Sequence, residues 1–388
     1  MSVTAAQGFV AAGVSAGIRP SGKPDVALVR SVEAAVGAAM WTRNRVQAAP
    51  VTVSRRHLEV AEPQAVVVNA GVANAATGSA GEDDAKATAA HAASALGLRP
   101  EEVVVLSTGV IGPRLPMDRL LAGVDAAAAD LSPGGAAAAS EAILTTDRGP
   151  KTAVAGGDGF VVGGMGKGAG MIHPALATML AVVTTDYPLA PGEADAYLRP
   201  AVDRSFNRIS VDGDCSTNDA VVLLANGASG IRRDARLDEQ LACALEDVCA
   251  DIARQIVADG EGATVVLEIR VSSASSAEEA QAIARRVATS PLVKTAAFGR
   301  DPNWGRVLAA AGSAPWNGGF AHLDPERLTV SFDGTTVFSN GMPTGDVPEL
   351  GGAACTIDLA LGLGDGRSAY LASDLSYDYV RLNAEYTT

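Results

Sequence analysis

The segment GGMGKGAGMIHPALATMLAVVTTD (residues 163–186) changes character partway along its length. It begins as a glycine-rich stretch with one lysine, Lys167, which predicts a loop with tight backbone turns. It ends in an apolar, β-branched run, which predicts a buried strand over residues 181–186. Thr178 places a hydroxyl inside that apolar run, directly after the segment suited to tight turns.

Strand and helix patterns alternate on both sides of the junction. Short β-branched runs predict strands, whereas Ala-rich stretches and stretches with acidic residues near their first turn predict helices. We expect strands at 64–70, 101–112, 181–186, 219–227 and 264–272, and helices at 82–98, 117–131, 134–144, 192–206 and 236–260. This order is typical of the α/β class.

Composition limits the kinds of partner. The 388 residues are 48% hydrophobic, enough for one large core or two medium ones. A net charge of −14 argues against binding to nucleic acid or to an anionic membrane. The sequence has no secretory signal pattern and no apolar run near the roughly 18 residues that span a membrane. The four cysteines are scattered and form no CxxC pair, so we expect a cytoplasmic protein without a disulfide framework or a metal site.

Two familiar kinds of site do not fit the motifs. The run GGMGKGAG superficially resembles a phosphate-binding loop, but Gly168 stands where that motif needs Ser or Thr. The histidines show no metal-binding spacing, and of these His173 alone lies close to Thr178. It could act as a base, but a turn residue before Pro174 is the more common role for such a histidine. A Ser-His-Asp type of triad is therefore weakly supported.

A threonine can also be activated without histidine. If the chain is cut immediately before a threonine, the new α-amine can accept the proton of the hydroxyl, because its pKa is about 7.7–8 in model peptides. Such self-cleavage needs a tightly turned segment upstream, and the glycines and Pro174 before Thr178 fit that requirement. On the residues alone, a plain strand threonine is the more common alternative.

Motifs along nearly the whole chain resemble the ornithine acetyltransferase family, the self-processing glutamate N-acetyltransferases of cyclic arginine biosynthesis. The most specific of them is KGAGMIHPALATMLAVVTTD (167–186). Their number, order and spacing carry the resemblance. The others are GFVAAGVSAGI (8–18), TRNRVQAAPV (42–51), NAGVANAATG (69–78), STGVIG (107–112), LTTDRGPK (144–151), SFNRISVDGDCSTND (205–219), DGEGAT (259–264), SPLVKTAAFGRDPNWGRVLAAAG (290–312) and YVRLNAEYTT (379–388).

The resemblance implies a role for particular residues. Autocatalytic cleavage would fall between Ala177 and Thr178, giving an α chain of residues 1–177 and a β chain of residues 178–388 that form one intertwined catalytic unit. Thr178 would be the nucleophile, and Thr108 and Gly109 would form the oxyanion hole. The substrate contacts of the family map onto Thr145, Lys167, Thr178, Glu261, Asn383 and Thr388.

The resemblance also implies a fold and a reaction. The fold is a layered αββα sandwich shared with self-processing aminopeptidases, and αβ units are expected to assemble into an α2β2 or larger oligomer. The reaction is a ping-pong transfer of an acetyl group from N-acetylornithine to glutamate through an acetyl-threonine intermediate, with no metal or organic cofactor. Some family members also accept acetyl-CoA as the donor.

Several positions depart from the usual pattern of the family. The loop at 69–78 carries Val72 and Ala76 where a small or polar residue and a cysteine are common, and Ala175 and Val265 replace a usual Asn and Lys. None of these is a mapped site residue, so they bear on substrate range rather than on mechanism. The alternatives are a paralogue of specialised metabolism with another acyl donor or amino acceptor, a self-processing aminopeptidase, and a homologue that never cleaves.

Overall fold

The structure is a computed structural model that describes residues 2–173 and 179–385. The strands are β1 (Phe9–Val14), β2 (Val26–Ser31), β3 (Val36–Trp41), β4 (Ala65–Val72), β5 (Val103–Val110), β6 (Lys151–Gly157), β7 (Phe160–Lys167), β8 (Leu180–Thr185), β9 (Ile209–Ser210), β10 (Ala220–Ala225), β11 (Val266–Ala274), β12 (Pro315–Trp316), β13 (Gly319–Phe320), β14 (Thr329–Phe332), β15 (Thr335–Ser339), β16 (Met342–Pro343), β17 (Ala354–Ala360) and β18 (Gly366–Ser373). The helices are α1 (Ala49–Leu58), α2 (Gly78–Leu96), α3 (Met117–Ala129), α4 (Ala136–Ala142), α5 (Ala194–Arg204), α6 (Ala235–Ala258), α7 (Ala277–Ala288), α8 (Pro291–Phe298), α9 (Trp304–Ala311) and α10 (Tyr377–Glu385).

These elements form two compact units. Among the described residues, the first unit comprises residues up to 207 and residues 214–256, and the second comprises residues 208–213 and those from 257 onward. The first unit contains two sheets: sheet A, with strand order β1-β2-β4-β5, and sheet B, with order β3-β10-β8-β7-β6. Sheet B combines strands from both sides of the predicted cleavage position, because β3, β6 and β7 precede it and β8 and β10 follow it.

The two sheets of the first unit pack face to face. Alternate residues of each strand point into the shared core, as Val66 and Leu106 of sheet A and Val182 and Val222 of sheet B do. The opposite face of sheet A is covered by α2 and α3, with Val105 in the same apolar cluster as residues of both helices. Helices α5 and α6 pack on sheet B, so the first unit is a helix–sheet–sheet–helix sandwich, which confirms the αββα layers that the family resemblance implied.

The outer face of sheet B shows that one expectation was wrong. Residues 163–167, predicted as part of a glycine-rich loop, instead form the second half of strand β7. A side chain at Gly164 would lie 2.7 Å from Val248, and one at Gly166 would lie 2.7 Å from Ile252. The glycines therefore serve close packing of α6 on a strand, and Lys167 is the last residue of that strand.

The second unit is built on a mixed seven-stranded sheet, with order β16-β15-β14-β17-β11-β18-β9. Helix α7 packs on β11 and β18, and its Ile283 and Val287 belong to one apolar core with Ile269 and Leu359 of the sheet. The side chain of Ser276 caps α7 by accepting a hydrogen bond from the Glu279 amide at 3.2 Å.

All of the strands and helices predicted from the sequence are present as the predicted type. They were predictable because apolar runs and Ala-rich stretches are local signals. The ends of the strands and helices differ from prediction by a few residues; the helix expected at 236–260, for example, spans Ala235–Ala258. In the part of the chain that the structure describes, no helix combines the length and the apolar character needed to cross a membrane.

Candidate active site

The predicted oxyanion residues lie in a distorted part of sheet A. Strand β5 does not end at Thr108 but continues to Val110 through a bulge, in which Thr108 pairs with both Ala70 and Val72 of β4. Gly109 has φ +132°, and a Cβ there would lie 2.2 Å from the carbonyl carbon of Gly71. Only glycine fits this close approach without moving the backbone. The bulge gives the Thr108–Gly109 peptide an orientation that a regular ladder would not allow.

Lys167 meets Thr108 and Thr145 at this bulge. Its ammonium group donates to Thr145 Oγ1 at 2.8 Å and to Thr108 Oγ1 at 3.2 Å. The lysine side chain is 2% exposed, and Thr108 is also buried. Because Thr108 Oγ1 accepts from a cation, its own proton remains available for donation, and the positive charge makes that hydroxyl a better donor. Three of the predicted site residues are thus in contact, because the buried ammonium of Lys167 bonds to both Thr108 and Thr145.

Asp147 organises the cationic side of this site. Its carboxylate accepts hydrogen bonds from Lys151 Nζ at 2.6 Å and from the Gly168 amide at 2.7 Å. It also accepts from the Thr145 amide at 2.9 Å, and its second oxygen lies 3.8 Å from Lys167 Nζ. Its side chain is fully buried. Burial alone would raise the pKa of Asp147, but the charges of Lys167 and Lys151 outweigh burial and hold the pKa well below its usual range.

Sequence reasoning did not assign a role to Asp147, although the motif LTTDRGPK contains it. An aspartate after two threonines reads as an ordinary turn residue. What distinguishes Asp147 is its burial between two lysines, and burial depends on tertiary packing. The only available sequence signal is the acid four residues before Lys151, which is weak on its own.

The remaining predicted residues fall elsewhere. Ala177, Thr178 and Thr388 lie outside the described residues. Glu261 and Asn383 belong to the second unit, where Asn383 Nδ2 donates to Glu261 Oε2 at 3.0 Å. The side chain of Ser376 supports this pairing, because it accepts from the Tyr379 amide of α10 at 3.1 Å and donates to the Gly262 carbonyl at 2.6 Å. Within residues 2–173 and 179–385, no three His, Cys, Asp or Glu side chains are placed to hold a metal ion.

Comparison with known proteins decides the family. The model of the ArgJ family matches residues 10–388, which is almost the entire chain. The chain belongs to the ArgJ family. It is 48% identical over 398 residues to the arginine biosynthesis bifunctional protein ArgJ of Mycolicibacterium paratuberculosis, covering 100% of this chain and 96% of the relative. It is 45% identical over 391 residues to the ArgJ protein of Thermobifida fusca, covering 100% of both chains.

Solved structures include a similar chain from Mycobacterium tuberculosis, described as ornithine acetyltransferase complexed with ornithine. It is 47% identical, with a TM-score of 0.43, over 45% of this chain and 96% of that one. The full-length ArgJ matches confirm the family that the motifs predicted. In this ArgJ chain, the buried contacts among Thr108, Thr145, Lys167 and Asp147 lie within three of the motifs that carried the prediction.

Proposed function

We propose that this ArgJ chain cuts its own peptide bond between Ala177 and Thr178, and then transfers an acetyl group from N-acetylornithine to glutamate. The observation that carries the proposal is the hydrogen bond from the buried Lys167 ammonium to Thr108 Oγ1. It places a positive charge next to the hydroxyl that the family resemblance assigns to the oxyanion hole. Lys167 is also only eleven residues before the predicted nucleophile.

The first half-reaction loads the enzyme. The hydroxyl oxygen of Thr178 attacks the acetyl carbonyl of N-acetylornithine while the α-amine of Thr178 takes the hydroxyl proton. Negative charge then develops on the carbonyl oxygen, where the Thr108 hydroxyl and the Gly109 amide act as donors. The carbon–nitrogen bond breaks, the ammonium returns the proton to the departing amine, and ornithine leaves an acetyl ester on Thr178.

The second half-reaction reverses these roles. The amine of glutamate attacks the ester carbonyl, and the α-amine of Thr178 accepts the proton that this amine loses. The ester carbon–oxygen bond breaks, Thr178 Oγ regains a proton, and N-acetylglutamate leaves. The same oxyanion donors serve both directions, because each half-reaction passes through the same kind of tetrahedral intermediate.

Substrate recognition follows from charge. Both N-acetylornithine and glutamate carry an α-carboxylate, and a lysine with a neighbouring hydroxyl, such as Lys167 with Thr145, suits that group. The assignment of Glu261, Asn383 and Thr388 to substrate binding stays a prediction of the family resemblance. The carboxylate of Glu261 is of the right charge for the side-chain ammonium of ornithine. Use of acetyl-CoA, assembly into α2β2 or larger oligomers and a cytoplasmic location likewise stay predictions.

Cleavage can be tested by mass spectrometry and amino-terminal sequencing of the purified protein. We expect two chains, residues 1–177 and 178–388, in place of one chain of 39.1 kDa. Thr178→Ala should stay uncleaved, because it has no nucleophile, whereas the matched control Thr178→Ser should still cleave. A wild-type protein that remains a single chain would contradict the proposal.

The reaction itself can be tested with the cleaved enzyme and two assays run side by side. One follows acetyl transfer from N-acetylornithine to glutamate, and the other follows hydrolysis of short peptides from their amino termini. We expect turnover in the first and none in the second; the opposite result would identify the aminopeptidase alternative. Transfer only from other N-acyl donors, or only to other amines, would instead identify a paralogue of specialised metabolism.

A further inference from the structure

Two adjacent side chains that the proposed mechanism does not use connect the two sheets of the first unit. Asn218 and Asp219 stand immediately before strand β10, in the sequence STND (216–219). Asn218 is 6% exposed and Asp219 is completely buried. Buried polar side chains normally have specific hydrogen-bond partners, so the partners of these two residues indicate what they do.

Asn218 holds sheet A at the oxyanion bulge. Its side-chain amide donates to the Ala73 carbonyl at 2.7 Å and to the Ser107 carbonyl at 2.9 Å. Its oxygen accepts from Thr217 Oγ1 at 2.6 Å, which fixes the orientation of the amide. The Ser107 carbonyl and the Thr108 nitrogen belong to one planar peptide group. Asn218 is therefore hydrogen-bonded to the peptide group that contains the Thr108 nitrogen.

Asp219 holds sheet B at the start of β8. Its Oδ1 accepts from the Met179 amide at 3.0 Å, and the Ala220 amide continues the contact by donating to the Met179 carbonyl at 3.1 Å. Met179 directly follows Thr178, so this carboxyl fixes the first peptide amide after the predicted nucleophile. The Asp219 carbonyl accepts from the Thr42 amide at 3.0 Å, which ties the same residue to the end of β3.

The second carboxyl oxygen, Asp219 Oδ2, has no hydrogen-bond partner among the described residues. Burial raises the pKa of Asp219 well above its usual range, against the opposing effects of the Met179 amide and the charge of Lys167. Burial raises the pKa of the Cys215 thiol, the charge of Asp219 adds to that rise, and the charge of Arg43 opposes it. The side chains of Thr42 and Ser216 also oppose this rise in the pKa of Asp219, and its Oδ1 accepts the hydrogen bond from the backbone amide of Met179.

We propose that Asn218 and Asp219 are positioning residues for acetyl transfer, and that together they set the separation of the oxyanion bulge and the chain that carries the nucleophile. The inference rests on the proposed function, because it takes Thr178 as the nucleophile. Two residues that are neighbours in sequence cannot shift independently, so the peptide of Thr108 and the amide of Met179 are held in one fixed relation. Preorganisation of this kind matters because a misplacement of about 1 Å can reduce a rate about 100-fold.

The test compares Asn218→Ala, Asp219→Ala and Asp219→Asn with a matched control at the other end of the same strand. Asn226 follows β10 and also donates two side-chain hydrogen bonds, to the Gln7 carbonyl at 3.0 Å and to Ser31 Oγ at 3.1 Å. Asn226→Ala therefore removes a similar number of bonds from the same strand, away from the bulge. For each variant we would measure thermal unfolding, the rate of self-cleavage, and kcat and KM of the cleaved fraction.

We expect Asn218→Ala and Asp219→Ala to lower kcat by about 10- to 100-fold and to slow self-cleavage, with little change in KM. Asp219→Asn should retain most of the wild-type kcat, because the amide oxygen still accepts from Met179. Asn226→Ala should lower the unfolding temperature without lowering kcat.

The positioning role is overturned if Asn218→Ala and Asp219→Ala keep wild-type kcat, or if Asn226→Ala loses kcat to the same extent. It is also overturned if Asp219→Asn is as impaired as Asp219→Ala, since the acid itself would then be required. If wild-type enzyme transfers no acetyl group, the proposed function fails, and this inference fails with it. An active wild type with unimpaired variants contradicts the inference alone.

Discussion

Replacement of Asp147 by asparagine tests whether the buried lysines of the site depend on this carboxylate. The change keeps the shape of the side chain but removes the negative charge that lies 2.6 Å from Lys151 Nζ and 3.8 Å from Lys167 Nζ. Both lysine side chains are 2% exposed, so water cannot replace the lost attraction. Removal of one partner from a buried ion pair typically costs about 3–5 kcal/mol, and we expect a loss of that size in the free energy of unfolding.

The assay should report on the first unit alone. Of the three tryptophans, Trp41 lies in the first unit and Trp304 and Trp316 lie in the second. In a Trp304→Phe/Trp316→Phe background, thermal unfolding followed by Trp41 fluorescence should show a midpoint about 6–20 °C lower for Asp147→Asn. The matched control is Asp158→Asn, which removes an exposed carboxylate that pairs with Arg236, and its midpoint should barely change.

The pH dependence of the Asp147 effect has a defined sign. Because the pKa of Asp147 is lower in the folded protein than in the unfolded chain, its stabilising effect is present above the unfolded value of about 3.8 and is lost as the pH falls below it. The difference between wild type and Asp147→Asn should therefore be constant from pH 8 to pH 5. The reasoning is refuted if Asp147→Asn unfolds at the wild-type midpoint, or if the difference already shrinks between pH 7 and pH 5. A Lys151→Met/Asp147→Asn double mutant should lose less than the sum of the single changes.

Two further predictions concern the oxyanion bulge and the second unit. Gly109→Ala should reduce kcat about 100-fold, because the new Cβ would lie 2.2 Å from the Gly71 carbonyl carbon and must displace the bulge. The control is Gly149→Ala, whose new Cβ would have no atom within 4 Å. Equal activity of the two variants would contradict the argument. Burial lowers the pKa of Lys294 from 10.5 to about 8, against the opposing charges of Asp374 and Asp212. As the pH rises, Lys294 therefore loses its proton earlier in the folded second unit than in the unfolded chain. The free energy of unfolding of the protein with Lys294, relative to Lys294→Met, should then rise by about 3 kcal/mol between pH 8 and pH 10.5. Urea unfolding in a Trp41→Phe background measures this difference. A difference in the free energy of unfolding that stays constant over that pH range would show that burial does not destabilise the charged form of Lys294.

The sequence predicted those parts of the fold that depend on local pattern. The apolar, β-branched run after Thr178 became strand β8, and residues 236–260, with acidic residues near their first turn, became α6, because local composition identifies such elements. Residues 163–167 of the run GGMGKGAG (163–170) were wrongly predicted as loop, because glycine has two uses that look the same in sequence. Glycine allows tight turns, and it also allows a helix to pack closely on a strand, as α6 does on Gly164 and Gly166.

The candidate site was predicted unevenly for a related reason. Thr108, Thr145 and Lys167 came from the resemblance to a family, and their convergence could not be derived from spacing, because they lie on separate segments of the chain. Asp147, Asn218 and Asp219 received no role, although each lies in a motif that carried the resemblance. Their importance arises from burial and from bonds to backbone atoms of distant segments, and neither property has a local signature.

The electrostatic arrangement around Lys167 connects the charges of the site to the chemistry proposed for it. Asp147 is held ionised and compensates the lysine charge from one side, while the Thr108 hydroxyl accepts from the same ammonium on the other. The charge of Lys167 also acts to lower the pKa of Asp219, whose carboxyl accepts a hydrogen bond from the Met179 amide. A cation in such surroundings favours negative charge on an oxyanion and disfavours a second positive charge on a nearby amine. Both effects would assist the proposed N-terminal threonine, because its α-amine must be neutral to accept the hydroxyl proton at the moment the oxyanion forms. If this coupling operates, Lys167→Met should raise the apparent pKa in the profile of kcat/KM against pH as well as lower the maximum rate. A lowered maximum with an unchanged profile would restrict Lys167 to the oxyanion and the substrate carboxylate.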